Sequence, residues 1–253
     1  PRKLPLLKYI LDRLNEQSQA DYFIYTNIDI ALMPGFYTKV GNIIASGYDG
    51  FIINRRTISK AHMEIDRIPS MMEEAVKGEK HPGFDCFVFK REAYRHYRLR
   101  TACVGANWIG RVLAGNIMAF AEKFKVFEDM CLTFHLGDDR PWQDSAHDPY
   151  NLHNEDQLRV TLDYLTASQD VRRKKEIQLF YRDIGSSRKS LPEISPDIES
   201  LNSPVLQLPD KPGHIYHTVF RPSTTWEGYS TQLLRQDPIF VVGYPRSGTT
   251  LVQ

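Results

Sequence analysis

Hydrophobic positions along the chain recur with two periods, and their alternation divides it into strands and helices. Leu7, Ile10, Leu11 and Leu14 repeat at helical spacing behind Pro5, a residue suited to a first helical turn, so a helix is expected to about Glu16. Asp21 precedes a β-branched and aromatic run, Tyr22–Thr26, which predicts a buried strand. Phe36, Val40, Ile43 and Ile44 form a second helical stripe, closed by Gly47. Similar apolar runs predict strands at 51–54, 86–90 and 131–135, with helices near 70–76, 91–97 and 107–124 between them. Short strands alternating with helices argue for an α/β layered domain. After Trp142 the pattern changes. Asn154 is expected to cap a helix to about Ser168, with Leu158, Leu162 and Leu165 on one face. A further helix is expected over 170–182, whose basic run Arg172, Arg173, Lys174 and Lys175 reads as a solvated face. Residues 185–222 are rich in Ser and Pro and lack periodicity, as a linker would.

Composition narrows the function classes. The chain has 253 residues, 42% of them hydrophobic and 25% charged, enough for one large domain or one domain and part of another. Its 32 basic and 31 acidic side chains nearly cancel, so charge gives no case for nucleic acid or a membrane surface as partner. The longest apolar candidate span, 108–120, is interrupted by Arg111, so no membrane segment is expected. Cys86, Cys103 and Cys131 show no metal-ligand spacing and sit in apolar surroundings, which predicts buried thiols in a reducing, cytoplasmic setting. The first residue falls just before a helix with no initiator Met, so the N-terminus is expected to be cut.

Candidate chemistry concentrates near the end of the chain. After the apolar run Ile239, Phe240, Val241 and Val242 come Gly243, Tyr244, Pro245, Arg246, Ser247, Gly248, Thr249 and Thr250. A strand, a Gly-bounded loop and a helix start together make an anion cradle, because backbone N–H groups at a helix start point at a bound phosphate. Gly243 and Gly248 have the spacing of a nucleotide P-loop, but Thr249 stands where that loop carries its phosphate-binding Lys. A P-loop NTPase is therefore the weakest alternative. The stretch Pro245 to Thr250 resembles the 5′-phosphosulfate loop of sulfotransferases that use 3′-phosphoadenosine 5′-phosphosulfate (PAPS), and residues 237–253 resemble the opening of the bacterial-type domain. The resemblance implies that Arg246 stabilises charge on the bridging oxygen as the sulfuryl group moves to a hydroxyl acceptor. It also implies that Pro245, Arg246, Ser247, Gly248, Thr249 and Thr250 surround the 5′-phosphate. In that family the general base and the 3′-phosphate contacts lie downstream of the loop, so this chain alone is not expected to transfer sulfate.

A second constellation lies in the first part of the chain. Asn27-Ile28-Asp29 directly follows a hydrophobic strand, at the place where glycosyltransferases of the GT-A fold keep an Asp-x-Asp. By itself the triplet is more economically a turn in which Asn and Asp bond the local backbone. His135-Leu136-Gly137-Asp138-Asp139-Arg140-Pro141-Trp142 follows another strand. It resembles the His-x-x-Gly-x-x-Lys-Pro-Trp signature of glycogenin-like glycosyltransferases, with one residue fewer between His and Gly and Arg in place of Lys. The resemblance implies a divalent cation, Mn²⁺, held by Asn27, Asp29 and His135, with Gly137 and Arg140 at the diphosphate of a nucleotide-sugar donor. Asn27 in place of an acid and the shortened His–Gly spacing count against an active site. Asp85, in His81-Pro82-Gly83-Phe84-Asp85, reads either as a capped turn or as a group orienting an acceptor hydroxyl. Trp108 reads either as core or as a sugar platform. Asp138 and Asp139 read as solvated turn residues.

These readings give an α/β chain with a GT-A-like mixed sheet flanked by helices over 1–150. A helical segment follows at 151–184, then a linker at 185–236, and then the first strand, loop and helix of a P-loop-like sulfotransferase domain at 237–253. The function expected is that of a carbohydrate-modifying transferase. The main alternative is a non-catalytic glycan-binding scaffold in front of the sulfotransferase.

Overall fold

The computed structural model describes residues 4–27, 29–59, 68–81, 83–137, 145, 148–168, 173–180 and 240–242. In chain order its elements begin with α1 (Leu7–Gln17), β1 (Tyr22–Thr26), β2 (Ala31–Leu32), α2 (Phe36–Ala45), β3 (Gly50–Ile53) and β4 (Arg56–Ile58). Then come α3 (Ile68–Lys77), β5 (Glu79–Lys80), β6 (Cys86–Lys90), α4 (Arg91–Tyr94), α5 (Ile109–Phe120) and β7 (Phe124–Phe127). The last are β8 (Thr133–Leu136), α6 (Asp148–Ala167), α7 (Lys174–Gln178) and β9 (Phe240–Val242).

Five strands form one sheet in the order β7-β3-β6-β1-β9. β6 runs antiparallel to both β1 and β3, while β3 pairs parallel with β7 and β1 parallel with β9. The parallel strands therefore end at one edge, and β6 begins there. A smaller sheet, ordered β2-β8-β4-β5, is built from the segments that leave that edge. Its register sets Thr57 opposite His135 and Ala31 opposite Phe134.

The central strands read as unbroken apolar runs because both faces of the sheet are covered. Phe23 and Tyr25 on β1, with Phe87 and Phe89 on β6, face a cluster completed by α1, α5, α6 and α7. Ile24, Phe51, Ile53 and Val88 face the other side, where Phe36, Val40 and Ile43 of α2 cover them. Successive side chains of a strand point to opposite faces, so one run serves both clusters. The mixed α/β class expected from the sequence is what the described residues form.

Several boundaries differ from expectation. The helix expected over 107–124 stops at Phe120, and Phe124–Phe127 is a strand. Both carboxylate oxygens of Asp49 accept from the backbone N–H groups of Glu122 and Lys123, at 2.9 and 2.8 Å, which turns the chain out of the helix. The helix expected at 91–97 is only Arg91–Tyr94. Of the helix expected over 170–182, Lys174–Gln178 is described. The short strands β2, β4 and β5 carry too few apolar residues to be read from periodicity. Cys86 and Cys103 are buried as expected, and burial pushes the Cys103 thiol up to about 11. Cys131 is only partly buried and sits at φ +50°, in a turn before β8. Phe240–Val242, expected to open a following unit, pairs with Phe23, Ile24 and Tyr25 at the edge of this sheet. That edge of β1 offers backbone donors and acceptors that a parallel strand satisfies.

Asn154 does not cap α6, which begins at Asp148. It is fully buried within the helix, accepts from Cys103 N at 2.7 Å, and donates to the carbonyls of Cys103 and Asn107 at 2.8 Å each. Asn151 accepts from Asn107 N and Thr161 donates to Arg98 O, so one face of α6 serves the irregular segment between α4 and α5. That segment has no strand partner along most of its length and takes its hydrogen bonds from the helix instead. Replacing Asn154 by Ala would leave three buried backbone groups unpaired. A loss of about 3 kcal/mol in urea unfolding is expected, against less than about 0.5 kcal/mol for Ala at the exposed Asp156.

Candidate functional site

The site forms where the parallel strands end. In open α/β sheets this edge is the usual ligand side, because backbone direction changes there and side chains from several loops converge. β1 delivers Asn27 and Asp29, β3 delivers Asn54 and Arg55, the approach to β6 delivers His81 and Asp85, and β8 delivers His135.

Asp29 and His135 meet directly, with Nε2 of the imidazole 3.3 Å from Oδ2 of the carboxylate. The other ring nitrogen, Nδ1, is 2.6 Å from the carbonyl of Gly137. Gly137 lies at φ +80°, a conformation that an L side chain rarely adopts. Its N–H donates to Ile58 O at 2.7 Å, which fixes the end of β8 against β4. Both ring nitrogens thus face oxygen acceptors, an arrangement that only the protonated ring satisfies fully. The His135 pKa is raised accordingly. The Asp29 hydrogen bond is the main cause and the Gly137 carbonyl adds to it, while burial and Arg55 oppose.

Asp85 organises a second cluster beside the first. Its Oδ1 accepts from Asn27 Nδ2 at 3.0 Å, and its Oδ2 lies 3.3 Å from Arg55 Nε and 3.6 Å from His81 Nε2. Arg55 NH2 is 3.3 Å from His81 Nδ1; since a guanidinium only donates, that ring nitrogen accepts and Nε2 carries the hydrogen facing Asp85. Asn54 donates to the backbone carbonyl of His81 at 3.3 Å. A Cβ on Gly83 would lie 2.5 Å from His81 Nε2, so glycine is what lets the ring rest against the backbone there. Arg55 and Asp85 are both 8% exposed, so this is a buried charge pair.

The sequence-derived metal set is therefore brought together in part. Asp29 and His135 are adjacent, whereas the side-chain amide of Asn27 is turned to Asp85. Among the described residues no group of three His, Cys, Asp or Glu is placed to hold an ion. The Asp29–His135 pair nonetheless fits a cation: neighbouring ligand atoms on an octahedral ion, each about 2.1 Å from it, lie about 3 Å apart. Gly137 is at the site. Arg140, Asp138, Asp139 and Trp142 lie outside the described residues, as do Pro245, Arg246, Ser247, Gly248, Thr249 and Thr250. Trp108 packs its half-buried ring against the larger core cluster with the Arg111 guanidinium 5.4 Å from its centre. Arg55 and Asn54 were not anticipated. The signal available was a polar pair immediately after a buried strand, at the same edge as Asn27.

Comparison with known protein families, with curated proteins and with solved structures gives no match. No helix among the described residues is long and apolar enough to cross a membrane.

The raised pKa of His135 ties stability to pH with a definite sign. The protonated ring is favoured in the native state, so its contribution is full below the unfolded pKa of about 6.5 and is lost as pH rises through the higher folded value. The stability difference between the parent and His135→Gln is expected to be larger at acid pH than at pH about 8.5. Urea unfolding of both proteins across that range checks it, and a difference independent of pH would contradict it.

Proposed function

We propose that the chain belongs to a carbohydrate-modifying transferase, with a cation-dependent nucleotide-sugar site at the β1 edge in front of a PAPS-dependent sulfotransferase loop. The observation that carries the first half is the meeting of Asp29 and His135, from distant parts of the sequence, at the ligand edge of a mixed sheet flanked by helices. A carboxylate is a ligand type that suits Mn²⁺, and an imidazole is a common metal ligand. When bound, such a cation neutralises the charge of the leaving diphosphate. On this reading Asp29 and His135 hold it, and His135 gives up the Nε2 hydrogen to do so. Gly137 leaves room for the diphosphate to approach, Arg140 offsets its charge, and the buried Arg55 adds positive potential at the same edge. The second half rests on the residues of the loop itself. Arg246 stabilises charge on the bridging oxygen, and Ser247, Gly248, Thr249 and Thr250 receive the 5′-phosphate.

One observation favours a second reading, a glycan-binding scaffold. Asn27 is engaged with Asp85, which leaves a single carboxylate for a cation. Glycan binding that persists unchanged in EDTA would support that alternative.

Thermal unfolding with Mn²⁺ and UDP or GDP separates the two. A ligand at about 100 times its Kd stabilises by about 2.7 kcal/mol, which corresponds to a rise of about 5–10 °C for a domain of this size. The rise should disappear in Asp29→Asn and in His135→Gln. No rise in the parent at millimolar ligand would sink the nucleotide-sugar site. For the loop, Arg246→Ala is expected to weaken binding of adenosine 3′,5′-bisphosphate by about 10-fold or more, the effect of losing one charge-assisted contact. Equal affinities measured by titration calorimetry would remove Arg246 from the phosphate site.

A further inference from the structure

Asn27 stands where a metal-binding Asp-x-Asp would have its first carboxylate, yet a carboxylate from another strand is bonded to it. We infer that Asp85 is a positioning residue for the cation site: it pins the side-chain amide of Asn27 by its nitrogen, leaves the amide oxygen as a ligand atom alongside Asp29 and His135, and carries the negative charge that position 27 lacks. The inference rests on the cation-dependent reading above.

Three features support it. The first is orientation. A carboxylate only accepts, so the Asn27 atom 3.0 Å from Asp85 Oδ1 must be the amide nitrogen. The amide oxygen is then left over, and no hydrogen bond to it is formed among the described residues. The second is rigidity. The backbone N–H of Asn27 also donates to the backbone carbonyl of Asp85, at 3.3 Å, so main chain and side chain are tied to the same residue. The other oxygen of Asp85 faces the charge of Arg55, with Nε 3.3 Å away. Oδ1 is hydrogen-bonded to Asn27, while Oδ2 is held by charge alone, with no hydrogen-bond partner among the described residues.

The third is charge. An acid at position 27 would set two carboxylates about 3 Å apart at a largely buried position, where both cannot ionise without strong repulsion. An amide at position 27 avoids that repulsion. Asn27 and Asp85 thus form one amide and one carboxylate in contact. Donation of the amide hydrogen to a carboxylate also draws electron density onto the amide oxygen. Carboxylates outside the ligand shell commonly strengthen metal ligands in this way.

Four proteins test the inference: the parent chain, Asn27→Asp, Asp85→Asn and the double variant. Tm is measured without metal, and Mn²⁺ affinity is read from the free-ion paramagnetic resonance signal in the presence of UDP or GDP. Asn27→Asp should lower Tm by about 5 °C. Asp85→Asn should weaken Mn²⁺ binding by about 10-fold in folded protein. The double variant, which exchanges the amide and the carboxylate, should recover both Tm and Mn²⁺ affinity relative to the single variants. A purely structural Asp85 would lower Tm and leave the Mn²⁺ affinity of the folded protein unchanged, and that result overturns the inference. So does a double variant no better than the worse single variant. If Asp85→Asn does not fold, the double variant carries the decision alone. A parent that binds no Mn²⁺ with either nucleotide overturns the cation-dependent function itself, and the ligand role of Asn27 falls with it. Binding by the parent with unchanged affinity in Asp85→Asn removes only the role of Asp85.

Discussion

Because β6 runs against β1 and β3, its first residue, Cys86, lies opposite Thr26, the last residue of β1. Asp85 therefore arrives at the edge that β1 and β3 are leaving. The same ladder that builds the hydrophobic core places one carboxylate between Asn27 and Arg55. A parallel strand in that position would have brought the residue before it to the opposite edge, and no polar cluster would form. The second sheet depends on the same edge. Two of its strands, β2 and β4, are continuations of β1 and β3, and pairing β4 with β8 carries His135 across to Asp29.

Two ion pairs among the described residues, Arg55–Asp85 and His135–Asp29, lie at this edge. Buried ion pairs are weak contributors to stability, since desolvation of each charge offsets much of their attraction. Among the described residues, Asp85 is paired with Arg55 and Asp29 with His135. The difference matters. A guanidinium stays charged and would close the Asp29 carboxylate permanently, whereas an imidazole can release its proton and expose a lone pair. The permanent pair is the one that holds Asn27. On the proposed reading, the reversible pair would be the one to exchange its proton for a ligand.

Much of this was legible in the sequence, and the missing parts have physical reasons. The strands Tyr22–Thr26 and Cys86–Lys90 were read to their boundaries, because burial on both faces leaves an unbroken apolar run. Asp29, His135 and Gly137 were found because each follows a strand directly and belongs to a short local pattern. The Asp49 contacts that end α5 are made across the fold, so nothing near Phe120 announced the break before β7. Helix α6 was misjudged at Asn154 because an Asn is read as a cap when its buried partner, a strandless loop, cannot be seen. Asn27 looked like a weakened ligand for the same reason. Its partnership with Asp85 is a matter of cross-strand register, which local spacing does not encode.

On the proposed reading, Asp29, His135 and the Asn27 amide oxygen would form a sparse donor set, and that sparseness has a consequence for how such a site would act. Hard divalent cations prefer six or more oxygen-rich contacts and give up water reluctantly. Two or three protein ligands leave most of that shell unfilled, so a bare ion gains little on binding here. A nucleoside diphosphate would fill the remaining positions with anionic oxygens while the ion screens its charge from Asp29 and Asp85. Each ligand would then raise the affinity for the other by the same factor, as linkage requires. An additional carboxylate at position 27 would shift that balance towards holding the ion alone. On that reading, the amide at Asn27, kept in place by Asp85, would favour a site that fills only when ion and diphosphate arrive together.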